Sequence, residues 1–260
     1  MNYNLPYIPE RDEKPRKKGL TMVMDKGLSL QEALNLCESS GYLIDFIKLG
    51  FGTSLVSKNI EEKIKVYKEH KIRVYFGGTL FETFIIRKMY DEFREYVSKF
   101  HLDLVEVSDG CMHMEHDDKC EYIRKLSKEY TVISEVGSKK AEIIIAPNKW
   151  IKMMNKELQA GSVNVIAEAR EGGNVGIFKS NGNAHVVLVN KILSGVAPDK
   201  IIWEAPNKSQ QVWFVKLLGA DVNLGNIATN EVISLETIRL GLRGDTFFQF
   251  LPEELNQEEE

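Results

Sequence analysis

Several features that would narrow a sequence quickly are scarce here. Only three cysteines occur, Cys37, Cys111 and Cys120. They are too few and too scattered for a disulfide framework, so an oxidised secreted scaffold is excluded and a reducing cytoplasm is expected. No apolar run approaches the roughly 20 residues of a membrane-spanning helix. The N-terminal MNYNLPYIPERDEKPRKKG lacks the apolar segment of a signal peptide. The net charge is only −4, which offers neither nucleic acid nor an anionic membrane an electrostatic footing as partner. The glycine fingerprint of a dinucleotide-binding turn is also missing.

What is present is a rhythm. With 43% apolar and 28% charged residues over 260 positions, the chain has the composition and length to bury a substantial core. Short apolar runs at 20–24, 44–50, 72–76, 102–107, 131–136, 163–169, 200–205 and 221–225 read as strands. Helical stretches follow each, starting near Ser29, Ser57, Thr83, Glu115, Asn148, Asn183, Lys208 and Asn230, where Ser, Thr and Asn recur as N-caps. Eight such units with no linker predict a single α/β domain, a (β/α)8 barrel over 20–250. An open doubly wound sheet is the alternative. Residues 1–19, with three prolines and a basic cluster, read as an extended arm, and 251–260 as an acidic flexible tail.

In such a barrel the site lies at the carboxyl ends of the strands. The stretch VISEVGSKK places Glu135 at one such end, with Lys139 just beyond. An isolated acid–base pair there is usually a modest surface salt bridge. The pattern recurs, however, with Asp25 and Lys26, Lys48, Glu106 with Ser108, Glu168 with Arg170, Glu204, Asn223 and Asn226. Strand side chains alternate faces, so Glu106 and Ser108 point one way and Val105 and Val107 the other. Glutamates from four consecutive strands are thus predicted to point inward, and Trp203 outward against a helix. A ring of carboxylates suggests Mg2+, which takes one or two carboxylates plus water and substrate oxygens. The remaining carboxylates would hold Lys48, Lys139 or Arg170. The lysines, the arginine and the glycine-rich strand ends suit an anionic, phosphorylated substrate, with LGNI (224–227) and the last helix N-terminus as a phosphate site.

Other motifs read more plainly. CMHMEHDDKC (111–120) has metal-binding residue types but not zinc spacing, and His113, Glu115 and His116 read as the start of a helix. Cys37 sits on an amphipathic helix and reads as core. IEEKIKVYKEHK and MYDEFREYVSKF read as solvated helix faces with i,i+4 pairs. Arg239 and Arg243 either anchor the last helix against the barrel or reach a neighbouring subunit's site.

The motifs KPRKKGLTMVMDKGL, IKLGFGTS, GGTLFE, EVSDG, SEVGSK, EAREGG, WEAPNKSQQ and VNLGNIATNEVISLETIRLGLRGDTF together resemble the phosphosulfolactate synthase family, from about Lys14 to about Phe247. The resemblance implies a (β/α)8 barrel that uses Mg2+ to add sulfite to C3 of phosphoenolpyruvate, giving (2R)-3-sulfo-2-phospholactate, a carbon–sulfur lyase reaction. It implies a cytoplasmic homo-oligomer, a trimer favoured, whose product leads to coenzyme M or to sulfolactate. Lys139 matches the lysine of the family's EVGxK motif and is the expected proton donor to C2. Glu135, Glu168 and Glu106, in that order, are the expected metal ligands. Lys48, Arg170 and Lys26 are expected to bind phosphate and sulfite, with Glu204 and Asn226 at the rim. CMHME after EVSDG departs from the small polar residues usual in the family. The competing readings are a Mg2+-dependent lyase or aldolase on another phosphorylated enol or keto acid, and a non-catalytic relative of the heat-stress-associated plant proteins.

Overall fold

A computed structural model describes residues 3–137, 145–169 and 172–256. Eight parallel strands form its centre: β1 (Thr21–Asp25), β2 (Phe46–Leu49), β3 (Arg73–Phe76), β4 (Leu104–Val107), β5 (Thr131–Val136), β6 (Ser162–Ala167), β7 (Ile201–Glu204) and β8 (Leu224–Ala228). Outside them lie α1 (Leu30–Ser40), α2 (Ile60–Glu69), α3 (Gly78–Ile85), α4 (Tyr90–Lys99), α5 (His116–Leu126), α6 (Pro147–Ala160), α7 (Val186–Leu193), α8 (Lys208–Leu218) and α9 (Val232–Arg239). The strand order is β3-β2-β1-β8-β7-β6-β5-β4, a nearly closed (β/α)8 barrel in one domain. The open doubly wound alternative is set aside.

Strands buried on both faces explain the apolar runs. One set of side chains, including Val23, Ile47, Val105, Val107, Val132 and Trp203, packs between strands and helices. The other, including Met22, Phe46, Tyr75, Leu104, Ile133, Ile166 and Ile202, fills the barrel. Each such side chain contributes roughly 1.5–3 kcal/mol of burial. Trp203 faces outward as predicted and stacks on Phe214, ring centroids 5.0 Å apart.

No backbone ladder joins β3 to β4. Side chains close this line instead. Arg73 Nη2 meets Asp103 Oδ2 at 2.8 Å near the strands' amino ends. Towards the carboxyl ends, the Gly78 N–H donates to Glu106 Oε1 at 2.6 Å, and Ser108 Oγ donates to Glu82 Oε1 at 2.5 Å.

Some boundaries differ from expectation. The helix placed near Thr83 begins at Gly78, directly after β3, and α4 follows in the same unit. Gly78 allows this, because a Cβ there would stand 2.6 Å from Glu106 Oε1. The eighth strand runs 224–228 rather than 221–225, so LGNI lies within it. Asn223 sits at the opposite end of the barrel from the expected site. It accepts from Leu20 N at 3.0 Å and donates to the Asp199 and Ile201 carbonyls, both at 3.1 Å.

That amino-terminal end is stitched by cations. Arg11 bonds the Ala220 and Gly19 carbonyls and pairs with Asp221 and Glu236. Lys14 donates to the carbonyls of Gly41, Ile44 and His70, and burial draws its pKa down to about 8. Arg16 pairs with Asp45 at 3.1 Å. The fully buried Arg239 donates to the carbonyls of Ala220 (2.5 Å), Val222 (2.7 Å) and Leu20 (3.3 Å). Arg239 therefore anchors the last helix. Arg243 is part-exposed and bonds Ser234 Oγ of α9. Among the described residues, no helix is long and apolar enough to cross a membrane.

Candidate active site

At the carboxyl ends of the strands lies a cavity of about 600 Å³. Lys26, Lys48, Glu135, Glu168, Glu204 and Asn226, six of the residues chosen from sequence, line it together. Glu106 is absent from the lining and stands behind Lys48, buried. Lys139 and Arg170 lie outside the described residues.

Lys48 is the centre of the charge arrangement. Its position on β2, in register with Met24 of β1 and Tyr75 of β3, points it into the barrel. Its Nζ is 3.0 Å from Glu106 Oε2, 3.1 Å from Glu135 Oε2 and 3.6 Å from Glu204 Oε1. Burial alone would depress the lysine's pKa, but Glu106, Glu135 and Glu204 outweigh it and hold the ammonium charged well above the usual lysine range. The acids respond in the opposite sense. Burial raises Glu106, and it pushes Glu204 up to about 7, with Glu135 adding to the effect.

Each acid has a second hold. Glu106 accepts the Gly78 N–H of α3 at 2.6 Å, so both its oxygens are engaged by protein. Glu204 Oε2 accepts the Ala169 N–H at 2.9 Å. Glu168, just past β6, packs so closely on Gly137 that a Cβ there would lie 2.5 Å from its own Cβ. The polar walls also include Asn174 and Asn207, which sequence reading did not nominate. Asn207 caps α8 in a capping box with Gln210. Its Nδ2 donates to the Gly172 carbonyl at 3.3 Å, and Gln210 Nε2 to Gly173 O at 2.7 Å. The WEAPNKSQQ run carried that signal in its N-x-x-Q spacing.

Asn226 Oδ1 is a buried acceptor with no hydrogen-bond partner among the described residues, on a residue that lines the cavity and holds φ +57°. Such an atom costs free energy unless a ligand meets it. Together with the Glu135 and Glu168 carboxylates it offers hard oxygen donors, the chemistry Mg2+ selects. No group of three or more His, Cys, Asp or Glu among the described residues is arranged to hold a metal by itself. A Mg2+ ion takes one or two carboxylates and completes its shell with water and substrate, so the donor set fits it. CMHMEHDDKC supplies no zinc cluster either. Glu115 caps α5 and His116 opens it, as expected, whereas His113 lies ahead of the helix and Cys111 reaches the cavity wall.

Over residues 9–245 the sequence matches the family model described as (2R)-phospho-3-sulfolactate synthase (ComA). The chain belongs to this family. The phosphosulfolactate synthase of Bacillus subtilis (strain 168) is 42% identical over 244 residues, covering 93% of this chain and 97% of that protein. The phosphosulfolactate synthase of Methanothermobacter thermautotrophicus is 41% identical, covering 92% and 95%. Among solved structures, 3-hexulose-6-phosphate synthase from Salmonella typhimurium superposes with a TM-score of 0.54 at 14% identity, over 86% of this chain and 100% of that one. That likeness concerns the fold alone.

Membership of the phosphosulfolactate synthase family makes this an enzyme with small-molecule substrates. The phosphate site expected at LGNI and the last helix is partly redrawn. Asn226 and Ala228 of β8 line the cavity, whereas no residue of α9 does. Two lysines read as solvated or overlooked are buried. Lys63 of α2 pairs with Asp25 at 2.6 Å, and Asp25 also accepts the Gly27 and Leu28 N–H groups and the Tyr67 hydroxyl. Lys119 of α5 is the second. Asp25 therefore shapes the turn that carries Lys26, and is not itself in the cavity lining.

Proposed function

We propose that the chain is a Mg2+-dependent carbon–sulfur lyase that adds sulfite to C3 of phosphoenolpyruvate, forming (2R)-3-sulfo-2-phospholactate. The observation that carries this reading is the meeting of Lys48, Glu135, Glu168 and the unsatisfied Asn226 oxygen in one cavity of a phosphosulfolactate synthase family barrel.

The sulfite sulfur donates its lone pair to C3, the C2–C3 π pair moves towards the substrate carboxylate, and a proton arriving at C2 completes the addition. Bound Mg2+ supplies Lewis-acid stabilisation of the charge that gathers on that carboxylate. Glu135 and Glu168 would hold it, with Asn226 Oδ1 as a further oxygen donor. Glu106 serves indirectly, by holding Lys48 in place. Lys48 offsets the acid ring, so that trianionic and dianionic substrates can approach carboxylates that would otherwise repel them. Lys26 and Arg170 bind phosphate and sulfite, Glu204 and Asn226 complete the polar wall, and Lys139 delivers the proton to C2. The enzyme works in the cytoplasm as a homo-oligomer, a trimer favoured.

The test is incubation of purified protein with phosphoenolpyruvate, sulfite and Mg2+, followed by mass spectrometry for phosphosulfolactate. Consumption of phosphoenolpyruvate without sulfite points instead to a lyase or aldolase on related acids. Absence of product from well-folded protein points to the non-catalytic, heat-stress-associated reading. Lys139→Ala should lower turnover far more than phosphoenolpyruvate binding, and unchanged turnover would remove Lys139 from its role.

A further inference from the structure

Lys119 is a cation held outside the cavity by two carboxylates and a main-chain carbonyl. It projects from α5 and is fully buried. Its ammonium reaches Asp109 Oδ1 at 2.8 Å, Glu157 Oε1 at 2.9 Å and the main-chain carbonyl of Glu135 at 2.5 Å. These three contacts use the three donors of an ammonium group. Glu157, itself fully buried on α6, also takes His116 Nε2 at 3.1 Å on the same oxygen. Burial works against the lysine's charge, but Glu157 and Asp109 outweigh it and keep the group charged above the ordinary lysine range.

A buried ion cluster is weak evidence for stability, since apolar residues of equal volume often serve as well or better. Its geometry is more informative. The cluster ties together the loop after β4 (Asp109), the end of β5 (Glu135) and α6 (Glu157). Glu135 is thereby gripped from both sides. Lys48 meets its carboxylate at 3.1 Å inside the barrel, and Lys119 meets its carbonyl at 2.5 Å on the helix side. With side chain and main chain fixed independently, the carboxylate has little freedom to shift.

We propose that Lys119, held by Asp109 and Glu157, is a positioning residue that fixes where the Glu135 carboxylate stands in the cavity, and so governs turnover rather than substrate affinity. The catalytic half of this inference rests on the proposed sulfite addition. The structural half does not.

The experiment compares Lys119→Met with Lys119→Met/Glu157→Gln. The single variant leaves Glu157 buried without its ammonium and should melt well below the wild type. The double variant removes that unpaired charge and should recover most of the melting temperature. If Lys119 acts through Glu135, the double variant still turns over on the order of 100-fold more slowly, the effect of an ångström-scale displacement. The KM for phosphoenolpyruvate stays within about twofold, the pattern of an interaction used in the transition state. Hydrogen exchange of the peptide covering β5 should also be faster than in the wild type. Turnover that returns with stability would make Lys119 merely structural and overturn the proposal, as would unchanged exchange in β5. A wild type that forms no phosphosulfolactate sinks the proposed reaction instead. The exchange comparison then still decides whether Lys119 holds the strand.

Discussion

Lys48→Met is the most direct perturbation of the ring, because it removes an ammonium that three carboxylates share. The contacts are 3.0, 3.1 and 3.6 Å, each worth about 5 kcal/mol by Coulomb's law at an effective dielectric of about 20. Most of that sum is offset by the cost of burying the charges. The cost of breaking such an arrangement by removing one partner is about 3–5 kcal/mol. In a chain of this size that is a drop of roughly 10 °C in melting temperature. The carboxylates will respond by binding protons. Without the cation, the pKa values of Glu106 and Glu204, already raised by burial, rise further above their unfolded value. A group with a raised folded pKa stabilises fully below its unfolded pKa and loses that contribution as pH climbs through the folded value. The deficit of Lys48→Met should therefore be larger at pH 8 than at pH 6, by about 1.4 kcal/mol for each pKa unit gained. Thermal unfolding followed by circular dichroism at pH 6, 7 and 8 measures this. A melting temperature within about 2 °C of the wild type at pH 8, with no pH slope, would refute the ion-paired ring.

Other outcomes follow from the same geometry. Glu204 is raised from 4.5 to about 7, so the wild type should lose up to about 3 kcal/mol of stability as pH rises from 5 to 8. Glu204→Gln should flatten that slope in urea titrations, and parallel curves would contradict it. Arg239→Met removes a buried donor from the Val222 carbonyl, while the Ala220 and Leu20 carbonyls keep Arg11 Nη1 and the Leu224 N–H, and should cost about 1–3 kcal/mol by chemical denaturation. The folded fraction should retain its turnover, whereas a selective loss of turnover would return Arg239 to an active-site role. Gly78→Ala would drive a Cβ to 2.2 Å from Ser108 Oγ and 2.6 Å from Glu106 Oε1. It should lower both melting temperature and turnover, the latter at least about tenfold because Glu106 is pushed off Lys48.

Much of this was legible because a parallel barrel writes simple patterns. Buried strands read as short apolar runs, and their period of two set Glu106 against Val105 and Val107 and turned Trp203 outward, as the packing bears out. The illegible parts share one physical cause. A helix pattern tells which face is wet, yet a long lysine can bury its stem and seek an acid far away in sequence. Lys63 and Lys119 sit in charge-rich helices and reach Asp25, Asp109 and Glu157. Spacing alone does not encode such partners. The glycines after β3 read as a strand end shaped for an anionic substrate, whereas Gly78 opens α3 and brings its backbone to Glu106, which lies 28 positions away. DVNLG alternates like a strand, which points Asn223 to the carboxyl end of β8, the wrong end. Its actual setting comes from Leu20, Asp199 and Ile201.

The missing ladder between β3 and β4 has a consequence for assembly. Around the rest of the cylinder peptide groups recognise one another whatever the side chains, but on this line the first and second halves meet through side chains, among them Arg73 with Asp103, Glu106 with the Gly78 N–H, and Glu82 with Ser108 and the Cys111 and Met112 N–H groups. Glu106 belongs both to that zipper and to the cation at the heart of the cavity. The two halves thus cannot come together without also completing the electrostatic centre, and catalytic competence becomes a report that the cylinder has shut.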